Sequence, residues 1–252
     1  EHPASLPGGE RTFPSQGGKL TRRTEQEYYL VNFDSSAFLA MNKPVRVRPF
    51  APWNASSFSS VYRVDSEVSE ALPFELADAV PEGDYSAVEA ALGADEYRRL
   101  TDYGGDPRIR ALAEEIAEGG GYWDRTQAVY ERLKFGEFRY SLKPGIAADG
   151  DQIGRFLFES KKGYCSYFAF SMTLILRSLG IPSRVAVGFF LDPATGVFDY
   201  YPVRSNMAHA WVEVFFPGYG WIDYDPTTDQ VAEGETFRPP SGLEAKDFER
   251  LI

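Results

Sequence analysis

Between residues 166 and 224 the hydrophobic period of the chain changes from helical to alternating, and this change limits what the core can be. Phe168, Met172, Ile175 and Leu179 recur at intervals of four, three and four, which lines one face of a helix running from Ser166 to Leu179. Gly180 supplies a C-terminal stop, and Pro182 lies just beyond it. Arg184 to Leu191, Ala210 to Phe216 and Trp221 to Tyr224 then read as strands. The turn signals Asp192-Pro193 with Thr195-Gly196, and Pro217-Gly218 with Gly220, separate them. A helix packed along an antiparallel sheet is an α+β arrangement.

The rest of the chain divides around this core. With 252 residues it can bury one large core or two modest ones, and 43% hydrophobic and 15% aromatic content mark a folded protein. Residues 1–20 are dense in Gly and Pro and read as a mobile arm. Residues 21–90 form a small β-rich region. Its strand candidates are Tyr28 to Val31, the strictly alternating Val45 to Pro49, and Ser57 to Val64, with Pro44, Pro49 and Pro52 at edges and turns. Residues 91–228 are read as the main α+β core. There Asp106-Pro107 starts a helix that places Ile109, Leu112 and Ile116 on one face and ends at Gly119 to Gly121. A second helix from Trp123 to Lys134 buries Val129 and Leu133. Phe138 to Leu142 is extended and leads into a Gly/Asp loop at 144–154. Residues 229–252 form a C-terminal tail.

Composition removes several function classes. A net charge of −11 opposes broad binding to nucleic acid or anionic membranes. No run of 18 apolar residues spans a bilayer. The chain begins Glu1-His2-Pro3 without an initiator Met, which reads as a segment excised from something longer. A single cysteine excludes an intramolecular disulfide and a Cys-rich zinc site.

That cysteine, Cys165, falls in the first turn of the striped helix. Unpaired backbone N–H groups and the positive end of the helix dipole favour thiolate there, whereas a structural cysteine belongs mid-helix on the apolar stripe. There are two histidines, and His2 lies in the N-terminal arm, so His209 is the imidazole available within the fold. On its strand His209 shares a face with Trp211, Glu213 and Phe215, while Val212, Val214 and Phe216 point the other way. Counting back from the Gly218–Gly220 turn brings Asp225 into approximate register with His209, where a carboxylate can accept the imidazole N–H and fix its tautomer. Asp223 competes for that role but sits two residues nearer the turn. Each feature also has a structural reading: a lone Cys as a small hydrophobe, Asp225-Pro226-Thr227 as a turn, and Trp211, Trp221, Phe189 and Phe190 as core.

Three ordered motifs add to this. They are Gly163-Tyr164-Cys165-Ser166-Tyr167-Phe168-Ala169 with Leu176 to Val185, then His209-Ala210-Trp211-Val212-Glu213-Val214, then Gly220-Trp221 through Asp225-Pro226-Thr227. From Phe138 to Thr227 the chain resembles the transglutaminase-like superfamily of papain-like thiol enzymes, in its bacterial form. The resemblance does not reach residues 1 to about 90. It implies a papain-like core with Cys165 as nucleophile, His209 as base and acid, and Asp225 as orienting carboxylate; Asp225 aligns with the family's Asp and Asp223 does not. The implied chemistry is acyl transfer on protein or peptide amides through a Cys thioester, ending in hydrolysis or amine crosslinking, with no metal or cofactor required. The backbone N–H of Cys165 serves as one oxyanion donor. The hydroxyl of Tyr140 is a weaker candidate for the second, against its plainer reading as a half-buried strand aromatic. Bacterial domains of this kind are often the soluble part of membrane-anchored proteins, which implies an extracytoplasmic site, periplasmic or at the cell surface. The competing expectation is a non-catalytic peptide- or protein-binding module of a cell-envelope protein. A third is a structural envelope domain in which Cys165 is core.

Overall fold

The computed structural model describes residues 9–15, 18–31 and 38–236. The chain forms two compact units that divide at Ala71 and Leu72, with Ala194–Pro202 returning to the first.

The first unit is built on a four-stranded antiparallel sheet. Its strands are β1 (Arg11–Thr12), β2 (Thr21–Leu30), β3 (Pro44–Pro49) and β4 (Ser60–Ser69), in the order β1-β3-β4-β2. Alternation along β4 turns Tyr62, Val64 and Ser66 inward, where Tyr62 and Val64 join Leu30 and Val47 in a small core. The Tyr28 ring stacks on Tyr62 at 5.2 Å, and the Tyr62 hydroxyl accepts from the Leu39 N–H at 2.8 Å. The other face carries charge, including Arg63 and Asp65. Part of the expected arm is therefore placed in the sheet: β1 pairs with β3, and the Phe13 N–H donates to the Val45 carbonyl at 3.0 Å. Residues 1–8 and 16–17 of that arm, His2 among them, lie outside the described residues.

The second unit begins with three short helices, α1 (Pro73–Ala77), α2 (Ser86–Leu92) and α3 (Ala94–Leu100). This corrects the expectation of a β-rich region reaching residue 90: residues 72–90 hold α1 and the start of α2, with no strand, and belong to the second unit. Next come α4 (Pro107–Ile116), α5 (Tyr122–Phe135), β5 (Arg139–Tyr140), α6 (Gln152–Arg155) with a π-turn at Phe156–Ser160, and β6 (Lys162–Gly163). The unit continues with α7 (Cys165–Ser178), β7 (Ser183–Phe189), β8 (Ala208–Phe216) and β9 (Gly220–Tyr224). Asp106 caps α4 as its sequence predicts, accepting from the Arg108 N–H at 2.8 Å with Pro107 in the first turn.

Helix α7 is the axis of this unit. Phe168, Met172 and Ile175 are fully buried, and the helix packs on α4, α5, β7 and β8. The strands form an antiparallel sheet in the order β7-β8-β9, and Val212, Val214 and Phe216 of β8 are fully buried. Phe168 meets Phe138 and Phe156 edge-on, at 6.2 and 4.9 Å between ring centroids. Gly180 ends the helix at φ +77°, a left-handed conformation that a side chain would strain. The α+β core expected from the period change is thus present, with a cysteine-bearing helix lying along an antiparallel sheet.

Candidate active site

Cys165 is the first residue of α7, after an extended N-cap at Tyr164. Two features hold it there. β6 runs parallel to β5, with Tyr140 opposite Gly163, so the chain enters the helix from a fixed strand. Gly163 is buried so closely that an added Cβ would lie 2.6 Å from the Cβ of Tyr167. A side chain there would push Tyr167 outward and with it the first turn of α7. No acidic residue sits in that turn to offset the dipole's positive end.

His209 is the second residue of β8, directly opposite Gly188 of β7. Asp225 follows the last residue of β9. The pairs Val212↔Tyr224 and Glu213↔Asp223 put Asp225 across from Trp211, one diagonal step from His209. The two side chains close that diagonal, with His209 Nε2 and Asp225 Oδ2 at 2.8 Å. The approximate register expected from sequence is therefore a diagonal one. Asp225 is itself held by its own turn: Oδ1 accepts the Thr227 N–H at 3.0 Å, and Lys134 of α5 donates to the Thr227 carbonyl. Asp223, the rival carboxylate on the same face, accepts instead from the Trp211 indole N–H at 3.1 Å.

The three groups tune one another. Burial pushes the Cys165 thiol up, but the His209 imidazole and the N–H groups of Ala210 and Ser166 outweigh burial and carry it below its ordinary 9.0. Burial also opposes charge on His209, yet the bonds to Asp225 and Cys165 raise it to about 9. Asp225 is opposed by burial too, and the imidazole with Thr227 still holds it below the ordinary carboxylate range. The lowered thiol and the raised imidazole both favour moving the shared proton from sulfur toward the ring. Nε2 is engaged by Asp225, which leaves Nδ1 for the sulfur. The arrangement can therefore offer a thiolate beside a proton donor whose far side rests on a carboxylate.

Aromatic side chains surround this trio. Tyr164 is exposed next to the cysteine, and the Phe190 ring lies 6.1 Å from the imidazole while 55% exposed. Phe190 is thus not core, contrary to its structural reading, whereas Trp221 is buried under the Arg184 guanidinium at 4.0 Å. Tyr140 is partly buried, and its hydroxyl is raised by burial and by the nearby Cys165.

Sequence reasoning missed two supports. Residues just past the core return to β5: Val231 bridges Tyr140, the Ala232 N–H donates to the Tyr140 carbonyl at 2.9 Å, and Glu235 accepts from the Ser141 hydroxyl at 2.6 Å. The other is the Trp211–Asp223 bond, foreshadowed only by their shared face. Among the described residues, no group of three or more His, Cys, Asp or Glu side chains is placed to hold a metal ion.

A sequence model of the Transglutaminase-like superfamily matches residues 110–226, a span that holds Cys165, His209 and Asp225. The chain carries a transglutaminase-like domain. Over 141 residues, 56% of this chain, it is 36% identical to the protein-glutamine gamma-glutamyltransferase of Pseudomonas aeruginosa. It is 35% identical over 141 residues to the uncharacterized protein YebA of Bacillus subtilis, covering 53% of this chain. The matched parts are 20% and 19% of those relatives, so the chain spans about a fifth of their length. The crystal structure of the periplasmic domain of TgpA from Pseudomonas aeruginosa superposes with a TM-score of 0.48 at 21% identity, covering 88% of each chain. A transglutaminase-like domain goes with thiol-dependent chemistry of transglutaminase or cysteine-protease type. Among the described residues no helix is long and apolar enough to cross a membrane.

Proposed function

We propose that the transglutaminase-like domain catalyses acyl transfer from protein or peptide amides through a thioester on Cys165, with His209 as base and acid and Asp225 as orienting carboxylate. The observation that carries this reading is one imidazole held by Asp225 at 2.8 Å on Nε2 while its other side lowers the Cys165 thiol. The thiolate adds to the carboxamide carbon, and the carbonyl electrons move to oxygen. The Cys165 N–H at the start of α7 helps hold that oxyanion; losing one such donor costs about 2.7–4 kcal/mol of barrier in comparable enzymes. As the tetrahedral adduct collapses, the imidazolium gives its proton to the departing nitrogen, leaving the thioester and ammonia or an amine. His209 then takes a proton from the incoming acceptor, which attacks the thioester carbon and frees the thiolate. Asp225 keeps the imidazole in one tautomer throughout and stabilises its charged form.

The name of the Pseudomonas aeruginosa relative favours a glutamine side-chain amide as acyl donor and a primary amine as acceptor, with water as the hydrolytic alternative. We place the domain outside the cytoplasm, as the soluble segment of a longer, membrane-anchored protein acting on protein or peptide substrates. The charge of −11 fits a role without nucleic acid.

The test is the rate of Cys165 alkylation by iodoacetamide from pH 4 to 10, read by intact mass, alongside incorporation of a fluorescent primary amine into β-casein. A reactive plateau well below pH 8 that disappears in His209→Ala, with amine incorporation lost in Cys165→Ala, is expected. A plain thiol titration near about 8.5 that ignores His209→Ala overturns the triad and leaves a binding module as the better reading.

A further inference from the structure

Gly188 is the penultimate residue of β7, and a glycine within a strand packs nothing and loosens the backbone. Its neighbour across the ladder is His209. A Cβ added at Gly188 would lie 2.9 Å from Cη2 and 3.2 Å from Cζ3 of Trp211, so the indole lies across β7 at the one position that has no side chain. The opposite end of the same indole donates its N–H to Asp223 on β9 at 3.1 Å. Trp211 therefore spans the full width of the three-stranded sheet, anchored on one outer strand and seated on the other. Its ring lies nearly parallel to the His209 imidazole, at 18° with centroids 6.4 Å apart.

We propose that Trp211, anchored by Asp223 and seated over Gly188, is a positioning residue that fixes the His209 imidazole in the orientation serving both Asp225 and Cys165. The proposal rests on the triad reading above. The need for such a device follows from the register. His209 meets Asp225 along a diagonal, and Asp225 stands opposite Trp211 itself, so the direct cross-strand partner of the carboxylate is the indole. A diagonal contact has no backbone pair to define it, and rotation of the imidazole about either of its two side-chain torsions would break it. A flat ring pinned at both ends beside it removes that freedom. The titratable groups around the imidazole are Cys165 from α7, Asp225 beyond β9, and Asp223 of β9 through the indole. Tyr130 of α5 faces Asp225, and Tyr140 of β5 faces Cys165.

The experiment compares the Cys165 alkylation profile and the NMR titration of the His209 ring in wild type, Trp211→Ala, Trp211→Phe, Gly188→Ala, Asp223→Ala and Asp223→Asn, with thermal unfolding as a check on folding. Removing the indole is expected to lower the alkylation rate at pH 6 by about tenfold, to move the acid edge of the plateau upward and the His209 titration downward. Trp211→Phe keeps a ring without its anchor, and Gly188→Ala tilts the indole; both fall between. Asp223→Ala follows the same direction, while Asp223→Asn keeps an acceptor for the indole N–H and restores the wild-type profile. If a wild-type plateau is present and Trp211→Ala and Asp223→Ala reproduce it, the positioning role is wrong and the triad stands. If Asp223→Asn behaves as Asp223→Ala, Asp223 acts by its charge rather than as an anchor, and the proposal fails. A wild type with no plateau removes the triad and the positioning role together. Should Trp211→Ala not fold, Trp211→Phe and the Asp223 pair decide the matter.

Discussion

The four-stranded sheet of the first unit and the three-stranded sheet of the second both set acids against bases across neighbouring strands. In the first, Arg46 reaches Asp65 at 2.8 Å, Arg63 reaches Glu27 at 2.5 Å, Arg23 reaches Glu67 at 3.2 Å, and Arg48 pairs with Glu25 and Asp65. These pairs lie near direct register, as Glu27↔Arg63 and Arg46↔Asp65 illustrate. Every base is an arginine, charged at any ordinary pH, and its side chain keeps between 25% and 74% of its exposure. In the second, His209 is 18% exposed, titratable, and paired on the diagonal at the end of the strands where α7 begins. The same cross-strand device locks register in one sheet and tunes a proton in the other. Burial, a titratable partner and a helix N-terminus make the difference.

The sharpest way to break this contrast is to neutralise one acid in each sheet. Asp225→Ala removes the acceptor that orients the imidazole and is expected to cut Cys165-dependent turnover by about 10²-fold or more. Asp65→Asn leaves turnover untouched. Equal effects from the two would make the His209–Asp225 pair one more ion pair on a sheet. A stability comparison follows. Phe168→Ala empties a fully buried site between Phe138 and Phe156 and is expected to cost about 3–5 kcal/mol of the second unit's stability in urea. Tyr62→Phe in the first unit removes one hydroxyl from the Leu39 backbone and costs about 1–3 kcal/mol.

The contrast also explains what the sequence could disclose. Helix α7 and strand β8 were legible because each buries one face and the stripe at Phe168, Met172 and Ile175 has the right period. The N-terminal half of β2 was not: Thr21 to Gln26 is polar throughout, since both faces there hold exposed or half-exposed side chains, and alternation has nothing to alternate. Helices α1 to α3 are five to seven residues long, too short to show a period, and α1 starts after Leu72, which offers no capping oxygen. Cys165, His209 and Asp225 could be named from strand parity and the resemblance together. The diagonal register and the Trp211 bridge could not, because they depend on how far side chains reach between strands. The return of Val231 to Tyr140 depends on tertiary pairing with no local signal.

Acidity separates the sheets next. His209 has its ordinary value of 6.5 when unfolded and about 9 when folded. A raised value means that its contribution is fully present below 6.5 and is lost as pH rises through 9. The shift bounds that contribution at about 3 kcal/mol. The cleanest measurement uses Cys165→Ala, where the imidazole keeps Asp225 alone. Without the sulfur's share of the shift, urea midpoints of the second unit are expected to fall as pH rises above 6.5, and His209→Ala in that background should flatten the slope. The arginine pairs of the first unit contain no imidazole, so its midpoint is expected to move less.

The smallest difference lies between two arginines. Arg184 and Arg46 each face an acid across one ladder, Glu213 at 2.5 Å and Asp65 at 2.8 Å. Glu213 is 9% exposed and Asp65 20%, and Arg184 also covers the Trp221 ring at 4.0 Å. Removing Arg184 leaves a nearly buried carboxylate without its charge partner and strips a cation from an aromatic face. Removing Arg46 leaves Asp65 with Arg48 and with water. Arg184→Ala is therefore expected to cost about 1–3 kcal/mol, and Arg46→Ala less than about 1 kcal/mol. Raising salt to 1 M should shrink the Arg46 effect toward zero and leave most of the Arg184 effect, because screening reaches exposed charges far better than buried ones. Equal costs with equal salt dependence would mean that burial does not separate the two sheets. The burial of Glu213 on the face that also carries His209 and Trp211 would then say nothing about how that face supports the site.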